Sequence, residues 1–203
     1  MIDSSKAKAV PSIRFIYSED YDSQFKSKLE KENMKSDYPS QKVIKDYIEI
    51  VKPLWQKVSN KLLTSMANKL GLKWQTKSIN CNVVGFAIPY SEPLTIPIYK
   101  EYPNFFIDMV THELIHQILM QNEDKLSKYW KYIDEKYKDE IPNVRSHIPV
   151  LALHTILYKE IIGKDRLHIN RDQFNDLEDY KRAWDIVDKE GEENIVARIK
   201  NSL

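Results

Sequence analysis

Two histidines four residues apart, His112 and His116, enclose Glu113 in the pentapeptide His-Glu-Leu-Ile-His. On an α-helix, residues i and i+4 stand one above the other, so both imidazoles can reach a single cation. Imidazole is a good zinc ligand, and a catalytic zinc site keeps one position open for water. Glu113 projects roughly a quarter turn from His112, where it can hold the water that the metal activates. The chemistry implied is metal-dependent hydrolysis, with a peptide bond as the first candidate substrate.

The flanking residues read as the helix such a pair needs. Pro103-Asn104 supplies a start signal, with Asn104 as the N-cap. Asp108 falls in the early turns, where a carboxylate opposes the helix dipole, and it could also orient a ligand imidazole. No Gly or Pro interrupts Phe105 to Met120. At about 100° per residue, Ile107, Val110, Leu114 and Ile118 share one side and the two histidines fall nearly opposite. Met109, Leu119 and Met120 flank them, so the histidine face is expected to be enclosed as well. Enclosed imidazoles require partners. Two core histidines bonded to backbone are the alternative to a metal.

The rest of the composition narrows the class. A chain of 203 residues with 42% apolar residues, twelve Tyr and four Trp can build a substantial core. Thirty-one basic residues stand among thirty acidic ones, a net charge of +1 with the signs interspersed. Nothing in that balance demands a nucleic acid or an anionic membrane as partner. Cys81 is the single cysteine, which rules out a disulfide framework and a cysteine-based metal site. Met1 to Pro11 lacks the apolar run of a signal peptide, and no apolar run is long enough to span a bilayer. The expectation is a cytoplasmic protein.

The periodicities outline an α+β chain, one catalytic domain over 1–203. Residues 1–40 form an N-terminal extension with one strand, Ser12–Tyr17, and a short helix around Ser23–Asn33. A catalytic core occupies 41–163. It opens with a helix over Gln41–Leu70 that Pro53 must kink or split and Gly71 must end. Leu72, Trp74 and Thr76 alternate, as do Ile79, Cys81 and Val83. A phase shift at Val84, Phe86 and Ile88 with Gly85 between suggests a bulge. After a Pro-Tyr-Ser-Glu-Pro turn, Leu94–Tyr99 alternates as a strand that Pro97 should confine to a sheet edge. Such an edge could pair with an extended peptide or simply be protected by its proline. A helical tail, 171–203, breaks near Gly191 and turns Phe174, Leu177, Trp184 and Val187 inward. The N-terminal forty residues could cover a cleft as a latency segment.

A long backing helix, a small twisted sheet, an edge strand and then a helix carrying H-E-x-x-H resembles the upper half of zincin metallopeptidases over Gln41 to Gly163. The plan is similar to a minimal gluzincin or a compact phage or bacterial peptidase. That resemblance implies one Zn2+, Glu113 as general base and proton shuttle, and a scissile carbonyl polarised by the metal. Leu119 and Asn122 stand where metzincins carry Gly and a third His. SprT-like proteases carry a cysteine zinc ribbon that Cys81 alone cannot supply. The gluzincin spacing of a downstream Glu with an Asp four later is met formally by Glu135 and Asp139.

The third ligand comes from a separate element, and four residues compete for it. His147 opens the apolar segment His147–Tyr158, with Ser146 as N-cap and Pro149 in the first turn. A buried helix presenting a histidine suits a ligand, and His147 is the choice. His154 lies seven residues on, Glu135 projects toward solvent, and Glu160 follows the same apolar helix. His154, Tyr158, Arg145 and Tyr180 are candidates to stabilise an oxyanion. His168 follows Gly163 in a polar connector, at the surface. Two further readings remain: a zinc-dependent hydrolase of a non-peptide amide, and a non-catalytic interaction module with the same fold. Oligomeric state leaves no trace in the sequence.

Overall fold

A computed structural model describes residues 10–31, 38–174 and 176–203. Among the described residues the fold is α+β, with a small four-stranded mixed sheet and the rest mostly helical. The chain divides into two compact units. Among the described residues, one holds 13–31, 38–59 and Ser78–Gln117, and the other 10–12, Asn60–Lys77, 118–174 and 176–203.

The first unit contains the sheet. Strands β1 (Ser12–Ile16), β2 (Ser78–Val84), β3 (Tyr90–Ser91) and β4 (Leu94–Pro97) lie in the order β1-β2-β4-β3. β2 and β4 are parallel, and β3 and β4 form an antiparallel hairpin. The alternation of Ile79, Cys81 and Val83 appears as inward-facing residues of β2. β4 is not the edge strand expected from Pro97, because β3 lies beside it at Leu94 and Thr95. The register explains why the proline is tolerated. The Ile98 N–H bonds to Val84 O at 3.0 Å, so Ile96 and Ile98 turn toward β2 and Pro97 turns the other way. There the hairpin has already ended at Tyr90, opposite Thr95. Proline stops the ladder, and the short β3 is the edge.

The expected bulge at Gly85 is absent; β2 ends at Val84. Gly85 is there for close approach: a Cβ would lie 2.5 Å from the Tyr38 ring. Its N–H donates to the buried Asp22 carboxylate at 2.8 Å, which also accepts the Tyr38 hydroxyl at 2.6 Å. Helix α1 (Glu19–Lys31) starts four residues before its predicted position. Ser18 accepts the Tyr21 N–H, and three acidic residues occupy the first turn. The predicted end at Asn33 lies outside the described residues.

Helix α2 spans Gln41–Leu70 without a break. Pro53 does not split it, because the proline lies on an exposed face where the unmet carbonyl of Glu49 can be hydrated, while Val51 and Trp55 beside it are buried. Helix α3 spans Pro103–Met120. It begins one residue before Asn104, which is therefore inside the helix; Pro103 occupies the first position, where its fixed φ and missing N–H are no handicap. Phe106 of α3 meets Phe15 of β1 and Tyr47 of α2 edge-on, at 5.4 and 5.5 Å between centroids. Phe15 also meets Trp55 at 6.4 Å. Such pairs contribute about 0.5–1.5 kcal/mol each beyond their burial, and they fix α3 against the sheet and the backing helix.

In the second unit, Leu72–Thr76 is not a strand. Its backbone is bonded by side chains instead: Gln75 N–H donates to Gln121 Oε1 at 2.9 Å, and Asn122 Nδ2 donates to Lys73 O at 2.9 Å. After a 3-10 turn at Glu123–Leu126 come α4 (Ser127–Lys136), α5 (Pro142–Leu157), a π turn at Tyr158–Ile162, α6 (Lys164–Asp172), α7 (Glu178–Glu190) and α8 (Glu192–Asn201). Helix α5 is apolar all round and buried from His147 to Leu157, packed against α7 and α8. It begins five residues before the predicted start, so Ser146 and Pro149 lie inside it. Gly191, at φ +83°, separates α7 from α8 as the sequence indicated. Trp184 and Val187 face inward, but Leu177 is exposed: it precedes α7 and falls out of the helical phase. No helix among the described residues is long and apolar enough to cross a membrane.

Candidate functional site

Helix α3 places His112 and Glu113 in buried positions and leaves His116 partly exposed. The two imidazoles lie 5.0 Å apart between ring centroids, the one-turn stacking that their spacing requires. Asp108 is buried one turn ahead of His112. One residue beyond His116, Gln117 donates from Nε2 to the carbonyl of Ser91 at 2.5 Å, tying the helix to the short edge strand. Burial pushes Glu113 up to about 8. A neighbour unsuspected from the sequence is Cys81. Its thiol is pushed well up by burial and then by the charge of Glu113. The alternation of β2 already directed Cys81 inward, and that was the signal available to find it.

His147 is the buried histidine near the start of α5. Its Nδ1 lies 2.7 Å from the carbonyl of Asn143, one turn back. A carbonyl only accepts, so Nδ1 carries the proton and Nε2 carries the lone pair. The Tyr180 ring lies against the imidazole, tilted at 51° with the centroids 4.5 Å apart. Burial holds His147 below the usual histidine value, against the opposing pull of the Asn143 bond and of Asp179. The ring is therefore neutral at pH 7, the form that binds metals.

Among the described residues, His112, His116 and His147 form a group whose candidate ligand atoms all lie within 4.8 Å of one another. The competing candidates lie elsewhere. His154 is buried against Tyr158 at 4.1 Å and Trp184 at 6.3 Å, outside that group. Glu135 is exposed and faces Lys131 at 3.9 Å. Glu160 pairs with Lys69 at 2.5 Å. His168 is exposed, on α6 and not in a connector. Of the oxyanion candidates, Tyr158 lies against His154 and Arg145 faces Asp134 at 3.4 Å, while Tyr180 touches His147. Three imidazoles with a neighbouring carboxylate can bind a borderline-soft dication and move a proton beside it. No protein-family model, curated protein or solved structure matches this chain.

Proposed function

We propose that this chain is a zinc-dependent peptidase of zincin-like plan, in which His112, His116 and His147 hold one metal ion and Glu113 is the general base. The observation that carries the reading is the convergence of those three imidazoles within 4.8 Å. Ligands at about 2.0–2.1 Å from a tetrahedral zinc lie roughly 3.4 Å apart, so the donors need close by no more than about 1.5 Å. A three-histidine set fits zinc with one position left open, the composition of a catalytic site. It contains no thiolate, and Cys81 is a buried thiol.

When bound, the metal supplies a Lewis acid that acidifies water and polarises a carbonyl. The remaining chemistry belongs to the chain. Glu113, protonated at neutral pH in its buried setting, ionises more readily beside a cation. Its carboxylate then accepts the proton of the attacking water and delivers it to the departing amine. Helix α3, fixed by its Phe106 contacts and by Gln117, holds the base and two ligands in one rigid frame. Peptides are the favoured substrate through the likeness of the element order to zincins; an extended substrate would pair at β3, not β4.

The test is turnover of a peptide library by wild type and by Glu113→Gln. The variant should keep its fold and its metal and lose at least about 100-fold in rate. Cleavage at the wild-type rate by Glu113→Gln would remove the mechanism. Hydrolysis of small amides with no peptide cleaved would favour the amidase reading.

A further inference from the structure

We propose that Asp179 and Tyr180, at the start of α7, are positioning residues that present His147 to a metal as an Nε2 donor. The inference rests on the metal-site reading and extends it to residues outside the ligand set. An imidazole ligand needs its tautomer and its plane fixed before the metal arrives, and partners beyond the ligands usually do this.

Here the two requirements are met by different groups. The tautomer is fixed by the Asn143 carbonyl, which accepts the Nδ1 proton at 2.7 Å. That carbonyl also accepts the Ser146 hydroxyl at 3.0 Å. Asn143 is held in turn: its side-chain Nδ2 donates to Asp179 Oδ2 at 3.0 Å, joining the first turn of α5 to the first turn of α7. The plane is fixed by Tyr180, whose ring meets the imidazole at 4.5 Å and 51°. Tyr180 is itself clamped, stacked on Phe174 at 4.9 Å and 9° from parallel. Adjacent residues of one helix thus act on the ring, Asp179 through Asn143 and Tyr180 by direct contact.

The acidic character of Asp179 adds to the effect. The charge of Asp179 favours a proton on the imidazole, and a ring that donates from Nδ1 is a better donor at Nε2. Two acidic residues in a first helical turn are ordinary dipole compensation. The bond to Asn143 is what dipole compensation does not explain.

Two readouts test this in the intact chain. Zinc affinity is measured by competition with a chromophoric chelator, and the His147 tautomer by long-range 1H–15N NMR on metal-free protein. Asp179→Ala and Tyr180→Ala should each weaken zinc about tenfold, and in Asp179→Ala His147 should pass from the Nδ1–H form to a mixture of tautomers. Tyr180→Phe keeps the ring and should match wild type, and circular dichroism identifies any variant that fails to fold. Should Tyr180→Ala not fold, Asp179→Ala and Asp179→Asn carry the test, since the exposed Asn143–Asp179 bond contributes little to stability. Unchanged affinity in the folded alanine variants, or an unchanged tautomer in Asp179→Ala, would overturn the inference. A wild type that binds no zinc would overturn the metal-site reading itself, a separate result.

Discussion

His154 makes the protein acid-sensitive, and the size of the effect follows from its surroundings. It lies in the last turn of α5, against Tyr158 and close to Trp184, and burial pushes it down to about 3. The unfolded chain takes up this proton near pH 6.5, the native protein only near 3. Between those values the unfolded state binds more protons, so stability falls as pH falls. Each pH unit is worth about 1.4 kcal/mol, which gives roughly 2 kcal/mol lost by pH 5 and a ceiling near 5 kcal/mol at the lower limit. A protein of this size has about 5–15 kcal/mol in all, so the loss at pH 5 is large. The perturbation is His154→Leu, which removes the titrating group and keeps an apolar side chain. Urea unfolding at pH 7.5, 6 and 5 with a metal chelator present gives the free energies. Wild type should lose about 2 kcal/mol more than the variant between pH 7.5 and 5. His147, which is also shifted downward, titrates in both proteins and cancels in the difference. Parallel profiles for the two proteins, or an NMR titration placing His154 near 6, would refute the reasoning.

Gly85→Ala should destabilise by about 1–3 kcal/mol, because the added carbon meets the Tyr38 ring at 2.5 Å; a wild-type melting temperature would contradict this. Asp22→Ala should cost about 1–3 kcal/mol in urea unfolding, since it strips the acceptor from the Gly85 N–H and the Tyr38 hydroxyl. An unchanged midpoint would show that water replaces the carboxylate there.

Much of this was legible in the sequence where periodicity is long and burial one-sided. The helix over Gln41–Leu70, the inward residues of β2 and the break at Gly191 follow from spacing alone. The enclosure of His112 followed from the apolar circumference of α3. Illegible features depend on partners far along the chain. Trp74 alternates with Leu72 like a strand residue, yet its segment is bonded by Gln121 and Asn122, some 47 residues on. Pro97 correctly signals a missing donor, but which side of β4 lacks it depends on the register with Val84. Gly85 is fixed by Tyr38, which no local pattern connects to it. In the candidate site, the spacing of His112 and His116 carried its own geometry. His147 was preferred to His154 from its place at the head of the apolar segment, while Asn143 and Asp179 carried no sequence signal at all.

The central claim is one metal ion on three imidazoles, and X-ray absorption of the zinc-loaded protein with metal analysis tests it most directly. The account predicts about one zinc per chain, with three imidazole nitrogens at about 2.0–2.1 Å and one light-atom ligand beside them. His112→Ala, His116→Ala and His147→Ala should each lose a nitrogen from that shell or lose the metal altogether. A wild type without zinc, a sulfur ligand from Cys81, or full stoichiometry with an unchanged shell in His147→Ala would contradict it.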